Sequence, residues 1–449
     1  MTAALVIIGC WLTGSLLLAA IDGAAWRRSL TSLPEAIAAG LVLGHLHFLV
    51  FSWLGAVPLW SYLLAGSLLG AVMLRRSAPS TLGLAGGQSP GLAIWAVPAL
   101  LVFVQLLLLA SSFGLPLMDW DARILWGFKA KLLATDGTPV AEAFRDPYRL
   151  HIHPRYPLLV PWLAALCVGS NPADVETGLR LAVLLCGALT LWHMCIVLWQ
   201  RYGARLAVAL AVVLISTGSW LQALFWLQVE VVLGYFLLLA VARVGLWLED
   251  GRLTDLLMAA LFLAGAVMTK NEGLLLAVLL PMAVLLSARP GGVLRTGAVA
   301  AGRLALATLL LSLPWFAHRA AIPAVSDENY LGQIISSAGW ARASGRLLEV
   351  PGLLFGKLLD LGAWHLFWVV ILPLAVWSLW PRRAFSRWQQ ATAMVILGYL
   401  LAVTVIYLFS PWRDIVMQIE VSCQRVLLPL LPAGLLLFGM WWGGRGRAR

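Results

Sequence analysis

Apolar runs long enough to cross a bilayer recur along almost all of the 449-residue chain, and they constrain its fold more than any other feature. Hydrocarbon about 30 Å thick offers backbone groups no hydrogen bonds, so runs of this kind must be helices or closed barrels. Their continuous rather than alternating apolar character selects helices. Composition agrees, since only 11% of the residues are charged, against roughly 25% in a typical soluble domain. The expected fold is therefore all-α: a polytopic integral membrane protein of about thirteen transmembrane helices, with juxtamembrane helices in a large first outer loop.

The predicted spans are 3–21, 36–54, 57–74, 92–112, 178–199, 205–219, 222–242, 254–269, 273–288, 298–317, 360–380, 390–409 and 425–442. The first run lacks a basic leader and is followed by Arg27 and Arg28, so it reads as a retained span with the N-terminus outside. Alternation then puts 22–35, 75–90, 200–204, 243–253, 289–297, 381–389 and the tail 443–449 in the cytoplasm. Each carries Lys or Arg within it or at its edge, whereas the short outer connections near Pro58 and Trp220 carry none. The formal net charge of +11 is thus a topology signal and not a sign of nucleic-acid binding. Trp120, Trp126, Trp162, Trp364, Trp441 and Trp442 stand near run ends, where amphipathic rings favour the headgroup level. Cys10, Cys167, Cys186, Cys195 and Cys423 lack metal-ligand spacing and read as small core residues.

Five regions follow: an N-terminal four-helix segment (1–112), an outer loop with juxtamembrane helices (113–177), a central bundle (178–317), a second outer loop (318–359) and a C-terminal region with a basic cytoplasmic tail (360–449). In the first loop, 121–135 reads as a helix. The apolar stretch 157–169, at about thirteen residues, is too short to span and is expected at the interface. Were it a span, every later loop would change sides.

Chemistry-bearing residues gather in the outer segments. Asp119 and Asp121 stand where the fourth span emerges; two carboxylates at i and i+2 beside an apolar wall could supply a general base and a metal ligand or orienting group, or simply cap a helix. Downstream come Arg123, Lys129, Lys131, Arg145, Arg149, His151, His153 and Arg155, a basic set suited to an anionic headgroup or to a solvated face. His151 and His153 have metal-compatible HxH spacing. A charged island, Thr269-Lys270-Asn271-Glu272-Gly273, is wedged between two spans, and Glu230 lies about two turns inside the seventh span; charges so placed must pair or face a wet cleft. Arg425 heads the last span.

Taken in order, Asp119-Trp-Asp121-Ala-Arg123, the helix from Asp121 to Lys131, His153-Pro-Arg-Tyr-Pro-Leu-Leu159, Thr269-Lys-Asn-Glu-Gly273 and Arg425-Val-Leu-Leu-Pro429 resemble the motifs of the C-type glycosyltransferase superfamily, over roughly residues 115–435. These membrane enzymes use polyprenyl-phosphate-linked sugars as donors. The resemblance implies sugar transfer on the outer, extracytoplasmic face of a bacterial plasma (inner) membrane, usually with inversion, to a lipid, glycan or protein acceptor. It implies Asp121 as the base, Asp119 as its assistant, and Lys270, Arg155, Lys129 and Arg425 as binders of the donor phosphate. His153, Glu230 and Glu272 are further candidates, and a divalent cation, Mg or Mn, would sit on Asp119 and Asp121. Ala122 stands where the family commonly has a second acid. Alternative readings are a transporter or lipid flippase, for which internal repeats and midplane charges would be expected, and a surface-polysaccharide polymerase or ligase.

Overall fold

The computed structural model describes residues 2–22, 33–52, 119–140, 142–146, 152–169, 171–287, 294–322, 330–380 and 385–445, with isolated positions from 99 to 117. Among them there is helix and no strand. The predicted span 57–74 and most of 92–112 lie outside the described residues, as do Arg149 and His151.

The described helices are α1 (Thr2–Asp22) and α2 (Leu33–Phe51), then a π-helical turn (Asp121–Gly127) running into α3 (Phe128–Asp136), then α4 (Leu159–Val168) and α5 (Val175–Tyr202). After these come α6 (Ala204–Ser216), α7 (Gly218–Phe225), α8 (Glu230–Asp250), α9 (Leu253–Thr269), α10 (Glu272–Ser287) and α11 (Leu294–Ala320). The C-terminal part holds α12 (Tyr330–Ile335), α13 (Ser337–Gly345), α14 (Glu349–Leu358), α15 (Leu361–Trp364), α16 (Phe367–Ser378), α17 (Arg387–Leu408), α18 (Ile415–Leu427) and α19 (Leu430–Arg445).

Among the described residues, five helices are each long and apolar enough to cross a membrane, and the count becomes seven if α6 with α7 (bent by 60°) and α18 with α19 (bent by 50°) each form one broken span. Shorter apolar helices such as α4, α9, α10 and α16 fill the bundle between them. Among the described residues, several of the expected full-length spans are thus broken or short helices, and the count of thirteen for the whole chain extends beyond these residues. The chain is an integral membrane protein of all-helical fold.

Two breaks fall within or beside stretches that the sequence reads as unbroken spans. Leu227 adopts a left-handed φ of 58°, so the expected span 222–242 is replaced by α7, a tight turn and α8. Glu230, expected two turns deep, is the first residue of α8. At the other break, Leu428 keeps helical dihedrals (φ −54°, ψ −39°), but Pro429 has no N–H to continue the hydrogen-bond ladder of α18. Arg425 is therefore on the last turn of α18 and does not head the final helix.

Other expectations are also corrected by burial. Helix α4 has ten residues, about 15 Å at 1.5 Å per residue, and so does not span. Its residues from Leu159 to Ala165 are buried against the rest of the protein, so it does not present an apolar face to lipid. Its backbone lies so close to α5 that a Cβ on Gly178 would come within 2.2 Å of the Ala164 carbonyl oxygen. Trp126, Trp162 and Trp364 are core residues, while Trp120 and Trp442 are exposed as a headgroup-level position requires. All five cysteines are free and buried.

Charge alternation places Arg243 in a cytoplasmic loop. Helix α8 instead runs to Asp250, and the Arg243 guanidinium is buried between two carboxylates. It pairs with Glu35 at the start of α2 and, at 2.6 Å, with Asp255 at the start of α9. Three helices are thereby clamped at the end of the bundle remote from Glu230, some thirteen residues, or about 20 Å, along α8.

Candidate functional site

At the other end, residues from five separate elements converge. The π-helical turn begins with Asp121; wide turns of this kind are frequent at functional sites because they displace side chains from regular helical register. Asp121 Oδ2 is 2.5 Å from Arg425 Nη1, an ion pair that ties the first loop to the end of α18 across 304 residues. Asp119 Oδ2 accepts a hydrogen bond from the Ala122 N–H at 3.0 Å, so Asp119 does cap the turn. Burial holds the Asp119 carboxyl above the usual Asp range, opposed by the Ala122 hydrogen bond and the Arg425 charge, with the charges of Asp121 and Glu230 adding to the rise.

The charged island completes the cluster. Lys270 is extended (φ −156°) and separates α9 from α10. The tight corner works because residue 273 is glycine: a Cβ there would lie 2.1 Å from the Ala266 carbonyl oxygen. Lys270 Nζ is 2.7 Å from Glu230 Oε1 and 2.8 Å from Glu272 Oε1, so one ammonium balances two carboxylates. The strained turn at Leu227 delivers Glu230 to it. Asp119, Asp121, Glu230 and Glu272 outnumber Arg425 and Lys270, and the cluster carries an excess of negative charge.

The basic stretch divides in two. Lys129 is fully buried; its Nζ donates to the His153 carbonyl at 2.7 Å and sits 5.3 Å from the ring centroids of both Trp126 and Tyr156. Its charge is used to pin the 152–156 turn onto α3 through a hydrogen bond and cation–π contacts. The phosphate role expected for Lys129 would need an exposure that this side chain does not have. His153 takes a left-handed φ of 45°, a conformation rare for non-glycine residues and common near functional sites. Two residues on, Arg155 is half-buried, with its Nε buried and unpartnered among the described residues.

Sequence reasoning missed the supports of Arg425. Gln424 donates through Nε2 to Asp360 Oδ2 at 3.0 Å, while Asp360 Oδ1 caps the Gly362 and Ala363 N–H groups. On the other side, the Tyr399 hydroxyl donates to the Val426 carbonyl at 3.0 Å. Asp360 preceding an apolar run is a cap signal, but nothing in the sequence pairs it with Gln424. Among the described residues, no group of three or more His, Cys, Asp or Glu side chains is placed to hold a metal ion.

No protein-family model matches the chain, and no curated protein matches it. Among solved structures, it is similar to that of ArnT from Cupriavidus metallidurans bound to undecaprenyl phosphate, with a TM-score of 0.51 and 19% sequence identity. The match covers 77% of this chain and 59% of that one, so the chain spans well under two thirds of the length of the structure it resembles. At this identity the likeness is one of fold alone: the chain shares the helical membrane fold of that protein.

Proposed function

We propose that the protein is a membrane glycosyltransferase that moves a sugar from a polyprenyl-phosphate donor to an acceptor hydroxyl, with the Asp121 end of the bundle facing outward from a bacterial plasma membrane. The observation that carries this reading is the Asp121–Arg425 ion pair. It joins the loop acid and the late arginine, two of the motifs on which the resemblance rests, in a bundle of the matching fold.

In this mechanism Asp121, paired with Arg425, takes the proton of the acceptor hydroxyl. The acceptor oxygen attacks the anomeric carbon, the bond from that carbon to the phosphate oxygen breaks, and the configuration inverts. The proton neutralises Asp121 and removes its charge from beside Arg425 at the moment the leaving phosphate gains charge, so stabilisation grows along the reaction coordinate. Arg155, unpartnered at Nε, supplies a second cation for that phosphate. Lys270 is compensated by Glu230 and Glu272 and serves first to hold Glu230; it reaches a phosphate only when Glu272, the more exposed partner, turns away.

A divalent cation, Mg or Mn, would be held by Asp119 and Asp121, each of which has one carboxylate oxygen beyond the contacts described above, with water and phosphate completing its coordination. Such an ion would add Lewis-acid stabilisation of the leaving phosphate, and no step above depends on it.

The test uses purified protein in nanodiscs with a labelled polyprenyl-phosphate sugar and a panel of lipid, glycan and peptide acceptors. Release of free polyprenyl phosphate together with a labelled product is expected. A transporter or flippase would relocate the label with the glycosyl bond intact, and that result would overturn the proposal. Polymerase or ligase activity would appear as joining of preformed glycan chains.

The raised Asp119 acid predicts a pH dependence. A carboxyl held above its usual range takes up its proton at a higher pH than an ordinary Asp, so as pH falls the negative charge beside the base is lost early. The acid limb of transfer is therefore expected above the usual carboxylate range, and Asp119→Asn is expected to move it to lower pH while leaving the plateau within about tenfold, since Asn cannot titrate. An unmoved limb in kcat/KM against pH would remove Asp119 from the site.

A further inference from the structure

The second outer segment does not have the surface of a loop in water. At the corner between α13 and α14, Leu347 is exposed and Leu348 is 91% exposed; along α14 and α15, Phe355 (57%), Leu359, Leu361 and Leu366 follow on the outside. Lys357 and Asp360 in the middle of this stretch turn toward the protein, while Glu349 and His365 are exposed near its two ends. Lys357 pairs with Glu420 at 2.5 Å and Asp360 accepts from Gln424 at 3.0 Å, both on α18. Between residues 350 and 361 the exposed side chains are apolar and the polar ones contact the protein, the inverse of a helix solvated by water.

Two further observations identify what covers this face. The patch is continuous with the lipid-facing side of the bundle, because Leu366 leads directly into α16, whose Val369, Val370 and Val376 are exposed. In addition, α16 has only 12 residues, about 18 Å of helix, against a hydrocarbon layer about 30 Å thick. Leu379 and Trp380 add only two described residues after it, and the exposed apolar chain before it is placed to fill the remaining depth. Exposed Trp340 and Trp412 mark the rim, as amphipathic rings do at the headgroup level.

We propose that residues 347–366 are seated within the hydrocarbon of the leaflet on the Asp121 side, with lipid acyl chains covering Leu348, Phe355 and Leu359, and that this segment completes the crossing begun by α16. The inference does not rest on the proposed reaction. It corrects the expectation that 318–359 is an outer loop throughout, and it places the element that braces Gln424 and Arg425 in the membrane itself.

The experiment places single nitroxide labels at Leu348→Cys and Phe355→Cys in nanodiscs, with Arg413→Cys, on the exposed turn before α18, as the aqueous reference; the unsubstituted chain, whose cysteines are all buried, gives the background. Dissolved oxygen concentrates in hydrocarbon and a nickel chelate in water. Labels at 348 and 355 are expected to relax several-fold more with oxygen than with the chelate, with the order reversed at 413. Chelate access at 348 and 355 equal to that at 413 would overturn the proposal. These positions are exposed, so the substitutions leave the packed core untouched.

Discussion

Asp121→Asn is expected to lower sugar transfer by about 100- to 10,000-fold, the range that a positioned general base contributes, while the protein still elutes as a folded particle. The substitution keeps the shape of the side chain and a hydrogen-bond acceptor for Arg425, but an amide oxygen does not take up the acceptor proton at neutral pH. The loss should appear in kcat, with KM for the lipid donor changed little, because the amide leaves Arg155 and the membrane-facing surface in place. Arg425→Ala separates the two halves of the argument. It removes the cation that holds Asp121 and faces the leaving phosphate, so both kcat and KM should worsen. Single-turnover release of labelled polyprenyl phosphate measures both variants, and an Asp121→Asn protein with at least a third of normal turnover would remove the assignment of the base.

The largest effect on stability is expected at the opposite end of the bundle. Arg243→Met leaves Glu35 and Asp255 buried without the guanidinium that both contact. Removing one partner from a buried ionic group costs about 3–5 kcal/mol, because the remaining charges cannot be solvated. The thermal midpoint in detergent should fall accordingly. Adding Glu35→Gln and Asp255→Asn to the same chain takes away the uncompensated charges and should recover much of the loss. The single variant would otherwise lower activity only through the folded fraction, so its activity per folded molecule should stay near normal. A midpoint unchanged by Arg243→Met would show that this clamp adds nothing to the fold.

The parts of the site that could be read from sequence are those where polarity interrupts an apolar chain. Asp119, Asp121, Lys270, Glu272 and Arg425 stand out because charge at the edge of hydrocarbon is costly and has to be answered nearby, and the structure gathers them at one end of the bundle. What could not be read is the identity of each answer. Lys270 is met by Glu230 from a different helix, and Lys129 by an aromatic pair and a backbone carbonyl. Long-range partners leave no periodic trace. The helix breaks are hidden for a related reason: a few polar residues, Gln228 and Glu230 at one break and Gln424 and Arg425 at the other, are outweighed by long apolar stretches on both sides, so averaged hydropathy does not mark a turn. Pro429 is the one visible cue to the second bend. Burial is equally illegible for α4, since a short apolar stretch reads the same whether it meets lipid or protein.

The tie between residues 121 and 425 also has a consequence for biogenesis. A ribosome delivers the loop acid into the membrane about three hundred residues before its arginine exists, so each nascent molecule carries an unarmed centre for most of its synthesis. On the proposed reaction, competence arrives only when the penultimate helix docks, which would make turnover a read-out of completed assembly: chains that stall or are clipped ahead of that helix keep most of the bundle but lack Arg425.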